Sequence, residues 1–149
     1  MTHVYITNGM GYARVKIEGH AGYGAANHLP EGHDLVCASV SILGQTAMQI
    51  AIDMESEKKV SIAQMTCTPG LIDLRILPKS AHAQELQDKI EAIRTGFEVL
   101  SSTFSDYVKM GWGHRDIKSG MVYPDGKCLA LGKDRENMTL GKDRERRTK

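Results

Sequence analysis

The sequence predicts an α+β fold: a two-layer sandwich of a small mainly antiparallel sheet and two helices, followed by a C-terminal extension. Three observations predict it. Apolar residues recur at helical spacing in two long segments, they alternate by twos in about four short ones, and a chain of 149 residues with 41% apolar content suffices to bury one core.

Taken in order, His3 to Glu18 holds two alternating runs around Asn8-Gly9, a dipeptide suited to a hairpin turn. Val15 and Ile17 interleave with Arg14, Lys16 and Glu18, as a half-buried strand requires. From Gly19 through Pro30 to Gly32 the chain is rich in glycine and without periodicity, and a mobile loop is expected there. Asp34 then opens a helix. Val36, Val40, Leu43, Ala47, Ile50 and Met54 step by four and three along one face, and an aspartate is well placed to accept the unpaired amides of a first turn. The helix should end around Ser56 to Lys58. Val60–Thr68 and Leu71–Leu77 read as two strands joined through Pro69-Gly70. A second helix is expected from about Ala83 to Val108, carrying Leu86, Ile90, Ile93, Phe97, Leu100, Phe104 and Tyr107 at helical spacing.

The domain is expected to span residues 1–110, with residues 111–149 a charged extension. That extension has a turn at Pro124-Asp125-Gly126 and a nine-residue duplication, LGKDRENMT at 131–139 and LGKDRERRT at 140–148. Two copies of so short a unit build no repeat fold, and a solvated tail is the expectation. Trp112, the only tryptophan, is expected to pack in the core, or to cap the second helix or a dimer contact.

Net charge is +1 and the tail from Leu131 to Lys149 carries seven Lys/Arg against four Asp/Glu. So mild an excess argues against a general nucleic-acid binder. No uninterrupted apolar stretch reaches the roughly 20 residues of a membrane span, and the first residues lack the pattern of a secretion signal. Three widely spaced cysteines, Cys37, Cys67 and Cys128, suggest no disulfide framework, so a cytoplasmic chain with reduced thiols is expected. Cys67 and Cys128 are assigned no role.

Cys37 lies in the first turn of the expected helix, where the free amides and the helix dipole favour an anion such as a thiolate. The same amides can hold the oxyanion of a tetrahedral intermediate. His20 stands where a strand gives way to the loop, and a histidine that takes a thiol proton and returns it to a leaving amine is the minimum for acyl transfer to sulfur. Ser41, one helical turn beyond Cys37 on the same face, can hydrogen-bond near the thiol. By spacing alone, a cysteine in an amphipathic helix is usually a small buried apolar residue, and the catalytic reading of Cys37 is the weaker one.

The elements Gly19-His20-Ala21 and Gly32-His33-Asp34-Leu35-Val36-Cys37-Ala38-Ser39-Val40-Ser41 resemble the signature of the Prp family, the bacterial ribosomal-processing cysteine proteases. The resemblance runs in outline from His3 to about Met110. It implies Cys37 as nucleophile, His20 as general base, Asp34 and Ser41 as supporting residues, and a substrate loop carrying Gly22, Gly24 and Gly32. It also implies a homodimer without cofactor that removes an N-terminal extension from the twenty-seventh large-subunit ribosomal protein. Here Ala25–Pro30 reads as an insertion between the two elements. A member lengthened in this way can instead serve a phage or mobile element by processing a structural protein. Two other readings remain open: a zinc site built from His20, His28, His33 and Cys37, and a non-catalytic module that binds the ribosome or another partner.

Overall fold

The computed structural model describes residues 1–113 and 123–125. Strands β1 (Thr2–Gly9) and β2 (Tyr12–Glu18) form a hairpin, followed by a short helix α1 (Tyr23–Ala26) and the long helix α2 (Leu35–Ser56). A second hairpin, β3 (Val60–Thr68) and β4 (Leu71–Pro78), leads through a 3-10 turn at Ser80–His82 into α3 (Ala83–Thr103) and a final strand β5 (Val108–Gly113). The five strands lie in the order β3-β4-β2-β1-β5. All neighbours are antiparallel except β5, which runs parallel to β1.

Alternation decides the faces. Val4 and Ile6 on β1, Val15 and Ile17 on β2, and Leu74 and Ile76 on β4 point to one side and are buried. Against them pack Val36, Val40, Ala47 and Met54 of α2, and Leu86, Ile90, Ile93 and Phe97 of α3. Each fully buried side chain of this size is worth about 1.5–3 kcal/mol relative to exposure. The opposite face is polar, with Arg14 paired to Asp73 through two hydrogen bonds of 2.9 and 2.8 Å.

Five expectations need correction. Asn8 and Gly9 lie inside β1, and Met10-Gly11 make the turn, since Gly9 pairs with Tyr12; buried Asn8 spends its side-chain amide on Gln87 O of α3, at 3.0 Å. Within the glycine-rich stretch Tyr23–Ala26 form the short helix α1, anchored where the Tyr23 ring meets Phe104 and Tyr107 edge-on at 5.5 and 5.2 Å, while the rest is turn and irregular backbone. The third helix stops at Thr103, not Val108, because a run of hydroxyl residues closes it. Ser102 and Thr103 both bond back to Val99 O, at 2.9 and 2.8 Å. Beyond it Val108 opens β5, a strand the sequence reading did not contain, which runs past the expected boundary at Met110.

The fifth concerns apolar length: α2 is long and apolar enough by composition to cross a membrane. Counting uninterrupted runs hid this, because Ser39, Ser41, Gln45, Thr46 and Gln49 are scattered through it. One face of α2 is accounted for by the core, while Leu35 and Ile42 are each 61% exposed on the other.

A turn does form at Pro124-Asp125. Asp125 accepts hydrogen bonds from Ser80 Oγ at 2.8 Å and Ser80 N at 3.3 Å, and Tyr123 is buried with Ala83 and Met10. The duplication, Cys128 and the side chain of Trp112 lie outside the described residues.

Candidate active site

Three stretches of backbone converge at one end of the sheet: the exit of β2, the start of α2 and the β3–β4 turn. Asp34 caps α2, its Oδ1 accepting the amide of Cys37 at 2.8 Å. Its Oδ2 accepts the amide of Gly24 at 3.0 Å, so one carboxylate ties α1 to the first turn of α2. Burial opposes the charge on Asp34, but the amides of Cys37 and Gly24, joined by the Cys37 side chain and the Val36 amide, outweigh it and hold the carboxyl below its ordinary value.

Cys37 is half-buried, and its Sγ accepts a hydrogen bond from the amide of Ala21 at 3.4 Å. That donor belongs to the residue after His20, so the backbone that carries the imidazole is tied to the sulfur through a single peptide. The expectation that the helix amides stand free for an oxyanion is corrected for Cys37, whose N–H is already taken by Asp34. The Ala21 N–H is the donor directed at the Cys37 sulfur.

His20 leaves β2 through Gly19, whose φ is +89° and on which a Cβ would lie 2.5 Å from Met1 O. Only glycine fits so close to another backbone. The amino nitrogen of Met1 donates to His20 O at 2.6 Å, and Gly19 N donates to Gly70 O at 2.9 Å. The carbonyl and the preceding amide of His20 are thus both fixed, while the ring is exposed.

His20, Cys37 and Ser41 line one cavity of about 420 Å³, together with Ile17, Gln45 and the turn Cys67–Leu71. Ser41 sits along the helix ridge between Cys37 and Gln45. Asp34 stands behind the cavity wall. Gly22, Gly24 and Gly32 are not among its lining residues: Gly22 precedes α1, Gly24 lies against Asp34, and exposed Gly32 has open space around its Cα. Among the described residues no three His, Cys, Asp or Glu side chains converge as metal ligands, and His28 and His33 lie outside the cavity lining.

Sequence reasoning missed the β3–β4 turn as part of the site. Its signal was the Pro69-Gly70 pair, but only the antiparallel register Glu18↔Leu71 sets that turn beside His20. Cys67, left without a role, is exposed on the cavity side. A shift of register between Ile62 and Gln64 explains this, because a bulge exchanges the faces of every later residue on β3.

A ribosomal processing protease Prp from S. aureus, with a covalently linked product peptide, superposes with a TM-score of 0.56 at 19% identity, over 76% of this chain and 100% of that one. SMU.848 from Streptococcus mutans superposes with a TM-score of 0.52 at 24% identity, over 77% of this chain and 96% of that one. At such identities these likenesses establish a shared fold. No curated protein matches the sequence. The family model of cysteine protease Prp matches residues 1–109, which take in both hairpins, both long helices and the start of β5, and the chain therefore belongs to the Prp family of cysteine proteases.

Proposed function

We propose that the chain is an endopeptidase that removes a short N-terminal extension from a protein substrate, with Cys37 as nucleophile and His20 as general base. The observation that carries this reading is that His20 and Cys37 line one cavity, with the amide of Ala21, the residue after His20, at 3.4 Å from Cys37 Sγ. The sulfur attacks the scissile carbonyl carbon and its proton passes to the imidazole. The Ala21 N–H, directed at the sulfur, favours the thiolate that attacks. Collapse of the tetrahedral intermediate breaks the C–N bond, His20 gives its proton to the departing amine, and the C-terminal fragment leaves. Water, deprotonated by His20, then hydrolyses the thioester and frees the extension. Asp34 keeps the helix start in place, and Ser41 and the loop with Gly22, Gly24 and Gly32 complete the substrate's surroundings.

The substrate we propose is the twenty-seventh large-subunit ribosomal protein, processed in the cytoplasm by a homodimer that needs no cofactor. The S. aureus relative, a ribosomal processing protease of the same fold, supports the substrate class. The test is cleavage of a peptide covering the N-terminal extension of that ribosomal protein, read by mass spectrometry for wild type and Cys37→Ala. One defined cut made only by wild type is expected. Full activity in Cys37→Ala would remove the dyad; no cut by either would transfer the proposal to a structural protein of a phage or mobile element, or to binding without cleavage.

A further inference from the structure

We infer that Gly70 is a positioning residue for His20, and that it is glycine because a Cβ at this place would occupy the seat of the imidazole. The inference rests on His20 being the base proposed above. A Cβ built on Gly70 lies 3.0 Å from His20 Nε2 and 3.6 Å from both Cδ2 and Cε1, so the Nε2 edge of the ring stands against Gly70. The approach to Nε2 is closer than an ordinary van der Waals contact. The same residue accepts the amide of Gly19 at 2.9 Å through its carbonyl, extending the β2–β4 ladder by one rung beyond Glu18↔Leu71. One glycine therefore holds the backbone just before His20 and supports the ring itself.

Gly70 also has φ of +76°, as the third residue of a Pro-Gly turn requires. That alone explains a glycine without reference to catalysis, and the two explanations separate by experiment. Asparagine adopts the left-handed region with little strain, so it satisfies the turn. It nevertheless carries a Cβ. Because the His20 ring is exposed, it yields to that Cβ instead of the fold: it swings away by a few tenths of an ångström or more, leaving stability nearly unchanged and the proton relay misaligned. Misplacement of a catalytic group by about 1 Å costs on the order of 10²-fold in rate, and a shift of a few tenths of an ångström costs less, roughly tenfold.

The experiment compares wild type, Gly70→Asn, Gly70→Ala and His20→Ala in the full chain, measuring thermal midpoint, kcat and KM on the cleavable peptide. Gly70→Asn is expected to melt within a few degrees of wild type and to keep its KM, while kcat falls roughly tenfold or more. Gly70→Ala should show the same fall in kcat with a lower midpoint, since alanine adds backbone strain. A wild-type kcat in Gly70→Asn, with His20→Ala inactive, overturns the inference and leaves the dyad standing. Unfolding of Gly70→Asn overturns it too, because the conflict would then lie with the fold and not with the ring. Undiminished kcat in His20→Ala removes the dyad and this inference together.

Discussion

The carboxylate of Asp34 accepts the amide of Cys37 at 2.8 Å while its second oxygen accepts the amide of Gly24 at 3.0 Å, so the residue that caps α2 also fixes the backbone of Cys37. Loss of an N-cap side chain costs about 1 kcal/mol. Asp34→Ala should lower stability by that amount in urea unfolding and reduce kcat by roughly tenfold or more, as α1 and the first turn of α2 lose their common anchor. Asp34→Asn should restore much of the stability through its remaining oxygen. It should rescue kcat only in part, because its NH₂ group faces the Gly24 N–H. Equal kcat in wild type and Asp34→Ala would reduce Asp34 to a helix cap.

Acid should weaken the fold through a second carboxylate. The Arg14 guanidinium, hydrogen-bonded to Asp73 on the polar face of the sheet, holds that carboxyl below its ordinary value of 3.8, although burial opposes it. Asp34 is shifted in the same direction. A depressed folded value means that the stabilisation is fully present above the unfolded value and is lost as pH falls through the folded one. Urea midpoints should therefore hold down to the ordinary carboxylate range and drop below it. Asp73→Asn should cost about 2 kcal/mol at neutral pH and shrink that acid-side drop. An unchanged acid limb in Asp73→Asn would assign the loss to other carboxylates.

The parts of the fold legible in the sequence are those that local periodicity governs. Val36, Val40, Ala47 and Met54 mark the buried face of α2, and Asp34 caps it as its residue type suggests. Cys37 and His20 were legible as a pair through the two motif elements around them. What stayed hidden depends on partners distant in the chain. Val108, Met110 and Trp112 alternate as a strand should, but β5 exists by pairing in parallel with Thr2–Thr7, more than a hundred residues earlier. Counting by twos from Val60 sends Cys67 to the outer face, and only the bulge after Ile62 returns it to the cavity. Tyr23 reads as a loop residue until the rings of Phe104 and Tyr107 are set against it.

Tyr123, at 8% exposure, packs beside Ala83 and Met10 at the end of the sheet away from the cavity. This contact lies beyond the stretch matched by the family model. Tyr123→Ala should lower stability by about 1–3 kcal/mol, as expected for losing a buried side chain at the margin of a core. It should leave kcat and KM as in wild type. Asp125→Ala, which removes the bonds to Ser80, should cost on the order of 1 kcal/mol. No loss of stability in Tyr123→Ala would mean that this segment does not hold its place in solution.

Cys67 provides a probe of the cavity that does not depend on turnover. It is exposed, carries a free thiol and lines the same space as Cys37. In Cys37→Ala, alkylation at Cys67, verified by peptide mapping, should place a bulky group opposite the Ser41–Gln45 ridge of α2. Binding of the substrate peptide, followed by fluorescence anisotropy, should then weaken by roughly tenfold or more, a change of about 1.4 kcal/mol. In Cys37→Ala/Cys67→Ser the same reagent should leave affinity unchanged, which controls for reaction elsewhere. Undiminished binding after complete modification of Cys67 would show that the peptide lies along α2 without reaching the β3–β4 turn. The groove would then be narrower than the cavity, bounded by His20, Cys37 and Ser41 alone.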